Sequence, residues 1–163
     1  MKKPGIQIEI PGFGNRDIRR IVSDYTGTLS FHGKLSPGVR RRMRKLMQLV
    51  DVEIITSDSY GTAGKELKGL VVPYLLRKKR HDLEKQAYVK KFNLKKLAVF
   101  GNGNNDRFML RTVKRGGGLA IAVDNGEGCA IDALRQSTLI IRGAANALDL
   151  LLKTNACKAT LRY

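Results

Sequence analysis

Leu97-Ala98-Val99-Phe100 is an uninterrupted apolar run that stops at Gly101-Asn102-Gly103, and it limits the folds open to this chain more than any other segment. A strand with no polar side has to be buried on both faces, and sheets buried on both faces are mainly parallel and covered by helices. The rest of the chain follows the same grammar. Residues 6–10 alternate as a half-buried strand, 11–15 form a turn, and 18–23 read as a second strand ending at Asp24. Residues 28–38 read as a short loop or small hairpin with Gly33 at its turn. Ser36-Pro37 then starts a helix carrying Val39, Met43, Leu46, Met47 and Val50 at helical spacing. Strands are expected at 52–55, 70–75, 97–100, 119–123 and 139–141. Helices are expected at about 62–68, 81–92, 105–114, 129–136 and 144–152. This alternation predicts an α/β, three-layer, Rossmann-like fold with a mainly parallel sheet.

At 163 residues, 42% hydrophobic and 28% charged, the chain is expected to form one folded domain over 1–163. No apolar run approaches the roughly 20 residues that span a bilayer, and the first residues lead into alternation rather than an apolar signal core, so no membrane insertion and a cytoplasmic location are expected. Cys129 and Cys157 match no local zinc or redox spacing and read as two free thiols. Thirty-one Lys+Arg against 14 Asp+Glu leave a net charge of +17. Basic residues gather at Arg40-Arg41-Arg42, at Arg77-Lys78-Lys79-Arg80, at Lys90-Lys91 with Lys95-Lys96, and at Arg111, Lys114 and Arg115. Such a field attracts anions, nucleic acid among them; with no base-reading motif present, solvated helix faces are the plainer account of it.

In open parallel sheets ligands bind beyond the carboxyl ends of the strands. Three polar clusters stand at such ends: Asp24 to Thr28, Thr56 to Asp58, and Gly101 to Asp106. A strand-end carboxylate such as Asp24 can attack phosphorus, and Thr26-Gly27-Thr28 offer amides and hydroxyls beside it; the plain alternative is an Asp at a turn. Thr56 or Ser57 can give a hydroxyl to a phosphate oxygen or simply cap the next helix. Lys85 can neutralise developing charge, in a chain full of lysines. Asp24 and Asp106, with the Thr26 carbonyl and the Asn102 amide oxygen, form an oxygen set of the kind Mg²⁺ takes; the alternative is a helix-capping turn.

Taken together these segments resemble the haloacid dehalogenase (HAD) superfamily of phosphohydrolases. Asp24-Tyr25-Thr26-Gly27-Thr28-Leu29 resembles the nucleophile motif Asp-x-Asp-Gly-Thr, and more closely the Asp-Lys-Thr-Gly-Thr of P-type ATPases. Residues 99–106 resemble their Gly-Asp-Gly-x-Asn-Asp, 54–58 the strand-end Thr-Gly-Asp, and Glu84-Lys85 the motif lysine. The chain is similar over about 6–152 to small soluble P-type ATPase-like phosphatases. The resemblance implies Asp24 as nucleophile, Thr56 holding phosphate, Lys85 stabilising the phosphorylated ensemble, and Mg²⁺ held by Asp24, Asp106 and the Thr26 carbonyl. It also implies a substrate that is a phosphorylated small molecule, a nucleotide or a phosphoprotein.

Two departures qualify the resemblance. Thr26 stands where the family's acid–base Asp would be, and positioned acid–base catalysis is typically worth about 10²–10⁴-fold. Slow turnover of unactivated monoesters is therefore expected, with better rates for acyl phosphates or nucleoside triphosphates. Asn102 replaces the first Asp of the later motif and removes one negative charge from the metal site. Neither the stretch from Leu29 to Pro37 nor that from Asp58 to Lys85 has room for a large cap domain, so the site is expected to be open unless a homo-oligomer covers it. His32 could touch substrate or be an exposed loop residue. Two functions are left in view: a Mg²⁺-dependent phosphohydrolase, and a catalytically impaired scaffold binding nucleic acid or protein through its basic surface.

Overall fold

A computed structural model describes residues 2–163. β1 (Ile6–Ile8) and β2 (Arg16–Ile18) form an antiparallel pair. The chain then runs β3 (Arg20–Ser23), α1 (Pro37–Leu49), β4 (Asp51–Thr56), α2 (Ala63–Glu66), β5 (Tyr74–Leu75) and α3 (His81–Val89). After a 3₁₀ turn at Leu94–Lys96 come β6 (Leu97–Gly101), a second 3₁₀ turn at Asn104–Asp106 and α4 (Arg107–Arg115). β7 (Leu119–Asp124), α5 (Ile131–Arg135), β8 (Leu139–Arg142), α6 (Ala144–Leu152) and α7 (Asn155–Leu161) complete it.

The main sheet has six strands in the order β5-β4-β3-β6-β7-β8, every pair parallel. β3 is central: Arg20–Ser23 pair with 51–54 on one side and 97–100 on the other. From β3 the chain winds outward through β4 and β5, then returns to place β6 on the other side of β3. That reversal opens a crevice at the carboxyl ends of β3 and β6.

Successive strand residues sort into two cores. Ile21, Ile54, Ala98, Phe100, Leu119 and Ile121 pack with α1, α6, α7 and the β1–β2 pair. Val22, Ile55, Leu97, Val99 and Ala120 pack with α3, α4 and α5. The apolar runs are continuous because each strand has to serve both layers. α1 is capped as its sequence predicts, with the Ser36 hydroxyl accepting from Val39 N at 3.2 Å.

The fold class agrees with the sequence reading, while several elements differ. The run 18–23 is two strands, not one: Ile18 pairs with β1 and Arg20 with β4 and β6, and the chain changes sheets at Arg19. The expected strand at 70–75 shrinks to Tyr74–Leu75, because Pro73 has no N–H for a ladder and Val72 is 94% exposed. The 62–68 helix is a single turn, and 105–114 begins as a 3₁₀ turn. α7 was not expected; buried Cys157 anchors it to the core. No helix of the described residues is long and apolar enough to cross a membrane.

Among the described residues no cap domain intervenes. The stretch after β3 folds back as a small hairpin in which Phe31 and Lys34 exchange backbone hydrogen bonds of 3.0 Å, with Gly33 at φ +77°. The Tyr25 hydroxyl donates to Gly33 O at 3.0 Å and the Thr62 hydroxyl to the same oxygen at 2.6 Å, tying this hairpin to the segment after β4.

Candidate active site

Asp24 leaves the central strand with its amide still paired to Phe100 O at 3.0 Å, so its position is set by the sheet. Asp106 closes the turn after β6. Its Oδ2 accepts from Asn102 N at 3.0 Å and Gly103 N at 2.9 Å, which aims the other oxygen back toward β3. Lys85 comes from α3, where buried Asp82, Lys85 and Val89 recur at helical spacing and face inward. Its ammonium donates to Asp24 Oδ1 at 2.8 Å and to Asp106 Oδ1 at 2.7 Å. Lys85 and Asp106 are fully buried and Asp24 is nearly so. A buried charge survives only when paired and hydrogen-bonded, and here one cation holds two anions.

The turn after Asp24 completes the group. The Thr28 hydroxyl lies 2.8 Å from Asp24 Oδ2 and 3.0 Å from Asn102 Oδ1. Asn102 is oriented by its own Nδ2, which donates to Gly128 O at 3.2 Å. Gly27 takes φ +74°, and a Cβ there would lie 2.5 Å from Asn102 Nδ2. A Cβ on Gly101 would meet the Asp106 side chain at 2.6 Å. Both positions therefore need glycine for the two turns to approach.

Asp24 is pushed up to about 6, first by burial and then by the negative charge of Asp106, against the pull of Lys85 and Thr28. Burial alone would lower Lys85; the Asp106 and Asp24 carboxylates outweigh it and hold the ammonium charged above its ordinary range. The group therefore carries more anionic charge than its lysine neutralises.

The predicted residues divide in two. Asp24, Thr28, Lys85, Asn102 and Asp106 lie in one hydrogen-bonded group. Thr26 and Gly27 form the turn within it, and the Thr26 hydroxyl oxygen is buried without a hydrogen-bond partner. Thr56 ends the adjacent strand and is buried; its hydroxyl oxygen accepts from Asp58 N at 2.9 Å, which leaves its proton free for another acceptor. Ser57 is exposed, with its hydroxyl 3.5 Å from that of Ser59, outside this group.

A rim was not foreseen. Glu127, on the loop after β7, accepts from His32 N at 3.2 Å and from the Tyr60 hydroxyl at 3.0 Å, and the His32 and Tyr60 rings stack at 6.3 Å. His32 has a sequence signal in its place on the short loop after Asp24. Tyr60 and Glu127 carry no local signal, because their relation exists only across loops.

No family model matches the chain. It is 38% identical over 68 residues to the uncharacterized protein MJ0073 of Methanocaldococcus jannaschii, a match covering 42% of this chain and 69% of that protein. The chain belongs to the family of MJ0073. Among solved structures it is similar to the cobalt-bound deoxy-D-mannose-octulosonate 8-phosphate phosphatase of Haemophilus influenzae, with TM-score 0.64, 13% identity, and coverage of 90% of this chain and 94% of that one. It is also similar to the 3-deoxy-D-manno-octulosonate 8-phosphate phosphatase of Moraxella catarrhalis in complex with magnesium, phosphate and KDO, with TM-score 0.59, 19% identity, and coverage of 88% and 90%. A candidate HAD superfamily (subfamily III A) hydrolase of Legionella pneumophila gives TM-score 0.63 at 18% identity, with coverage of 87% and 86%. These likenesses show that this member of the MJ0073 family has the HAD-type fold without a large cap.

Proposed function

We propose that the chain is a Mg²⁺-dependent phosphohydrolase working through an aspartyl phosphate on Asp24. The observation that carries this reading is the Asp24–Lys85–Asp106 group, buried at the carboxyl end of the central strand of a HAD-type fold. Asp24 attacks phosphorus, an Asp24 Oδ–P bond forms, and the P–O bond to the leaving group breaks. Water then attacks the phosphorylated Asp24, inorganic phosphate leaves, and the carboxylate returns. Lys85 holds Asp24 in line and offsets negative charge as it spreads over the phosphoryl oxygens. Thr56, with its free hydroxyl proton, and the amides of the Gly27 turn hold phosphate oxygens.

The residues fit a hard cation. Asp24 Oδ2, Asn102 Oδ1 and Thr28 Oγ1 converge with one hydroxyl proton among them, beside carboxylates in excess of their lysine. Mg²⁺ takes one or two carboxylates and keeps the rest of its shell for water and phosphate. Asp24, Asp106, Asn102 and the Thr26 carbonyl would hold it. When bound, it neutralises phosphate charge and keeps Asp24 ionised.

Thr26 has no carboxyl with which to protonate a leaving alkoxide, so acyl phosphates and nucleoside triphosphates are the better substrates. The closer likeness of the Asp24 motif to P-type ATPases agrees with this and rests on sequence alone. The reading takes the chain as a cytoplasmic enzyme. The test is hydrolysis of p-nitrophenyl phosphate, acetyl phosphate and ATP with and without Mg²⁺, beside Asp24→Asn. Metal-dependent turnover lost in the variant is expected. No turnover above the variant on any substrate would leave a binding scaffold instead.

A further inference from the structure

The loop between β5 and α3 carries Arg77-Lys78-Lys79-Arg80, and all four side chains are exposed. Four consecutive like charges repel, and an untethered loop would splay them apart. Two buried carboxylates on the first turn of α3 prevent that here. Glu84, 5% exposed, accepts from Arg77 N at 3.0 Å, Lys78 N at 2.9 Å and the Tyr74 hydroxyl at 3.2 Å. Asp82, 6% exposed, takes two hydrogen bonds from Arg80, at 2.9 and 2.8 Å, and one from Arg107 at 2.8 Å. The Arg80 guanidinium bonded to it holds the Asp82 carboxyl down at about 2.

Asp82 thereby fixes the Arg80 and Arg107 guanidiniums, while Glu84 fixes the backbone that carries Arg77 and Lys78. Asp82 stands one turn before Lys85 on α3, and Arg107 directly follows Asp106. Lys79, Arg80, His81, Asn104 and Arg107 line one open cleft of about 320 Å³. Three of these are formal cations, and the single carboxylate in the cleft, Asp82, is already occupied by two of them. Asn104 and Asn105 add neutral amides. The cleft is thus a cationic lip at the starts of α3 and α4, the helices that carry Lys85 and follow Asp106, with two of its three cations held in place by Asp82.

We infer that the substrate of this site carries a second phosphate next to the one transferred, and that the Lys79–Arg80–Arg107 lip binds that second phosphate. This deepens the phosphohydrolase reading and rests on it. Arg80 spends Nε and Nη2 on Asp82, and Arg107 spends Nη2 on Asp82 and Nη1 on Asn104 O, so the guanidiniums offer a second phosphate their remaining N–H groups and their charge, beside the Lys79 ammonium. The shared chemistry is a phosphomonoester flanked by a phosphate or phosphodiester; its leaving group is an alkoxide, so with Thr26 turnover is slow and the second phosphate shows as a ratio of kcat/KM rather than as a fast rate. A nucleoside bisphosphate and the phosphorylated end of a nucleic-acid strand both present it. The +17 net charge would favour the longer polyanion in the encounter.

The test compares kcat/KM for adenosine 5′-monophosphate, adenosine 3′,5′-bisphosphate and a 5′-phosphorylated oligonucleotide, at low and high salt. The two substrates that carry a second phosphate should be preferred over the monophosphate by about tenfold or more at low salt. Lys79→Ala with Arg107→Gln should reduce that preference to near one. Lys90→Ala with Lys91→Ala, at the other end of α3, should keep it. A log–log salt slope steeper for the oligonucleotide than for the bisphosphate assigns the strand end; equal slopes assign the small molecule. Equal kcat/KM for mono- and bisphosphate at every salt concentration overturns the inference. Binding of the bisphosphate to Asp24→Asn, followed by calorimetry, separates the two readings. Bisphosphate bound without any turnover in the parent protein rejects the enzyme and keeps the lip. Turnover of monophosphate with no bisphosphate preference rejects the lip and keeps the enzyme.

Discussion

Asp24 and Asp106 share one ammonium: Lys85 Nζ lies 2.8 Å from an oxygen of the first and 2.7 Å from an oxygen of the second. The two carboxylates come from different strand ends and would repel if that ammonium were absent. Lys85→Met leaves them facing each other without a cation. Losing one member of a buried ion group costs about 3–5 kcal/mol, and urea unfolding in EDTA should show a loss of that order. Mg²⁺ should recover part of it by standing in for the missing charge. A variant as stable as the parent would mean that the group is not buried as described.

Stability and metal binding should depend on pH through Asp24. Its carboxyl sits at about 6 in the folded protein, against about 3.9 for a free Asp. The folded state therefore holds a proton that the unfolded chain has released, and stability falls as pH rises from about 4 through 6. Asp82 is shifted in the opposite direction, to about 2, so its contribution changes only below that window. In EDTA the urea midpoint should drop between pH 4.5 and 7.5, and Asp24→Asn should flatten the drop. Mg²⁺ should raise the midpoint at pH 7.5 and leave it nearly unmoved at pH 4.5, where it competes with a proton. Equal stabilisation by Mg²⁺ at both values would place the metal away from Asp24.

Gly27→Ala should abolish turnover and destabilise the fold. The residue has φ +74°, and the new methyl would stand 2.5 Å from Asn102 Nδ2. Alanine at positive φ costs more than the ~0.4–1 kcal/mol that a compatible Gly→Ala would gain. Thermal unfolding together with the acetyl phosphate assay checks both effects. A variant active at the parental rate would show that the two turns need not approach.

Thr26→Asp places a carboxyl where the Thr26 hydroxyl is buried without a partner. Monoesters with poor leaving groups should gain most, by up to about 10²–10⁴-fold, while acetyl phosphate should gain little. The ratio of the two kcat values is the readout. A uniform change across substrates would mean that proton transfer does not limit the reaction.

Much of this arrangement was legible in the sequence because its residues announce themselves locally. Asp24, Asn102 and Asp106 each follow an apolar strand and sit in a glycine-containing turn, so strand ends and chemistry coincide. Lys85 was recoverable only by resemblance, since nothing in its own neighbourhood separates it from the other lysines. The strand at 70–75 failed because apolar composition outweighed Pro73 and the solvent around Val72. Ser57 was paired with Thr56 by type, but a strand turns successive side chains to opposite faces, and Ser57 is exposed where Thr56 is buried. Glu127 and Tyr60 were invisible for a different reason: a hydrogen bond across three loops leaves no periodicity behind it.

β3 lies between β4 and β6, and both of its partners come later in the chain. During synthesis Asp24 therefore leaves the ribosome long before its neighbours on either side. β3 cannot complete its pairing until residues 97–100 have emerged, and Asp106 follows only after them. A nascent chain stopped between β5 and β6 would hold the whole Asp24 motif and yet have no site. The Asp24–Lys85–Asp106 group would thus assemble late, when β6 closes the gap beside β3 and brings its turn with it.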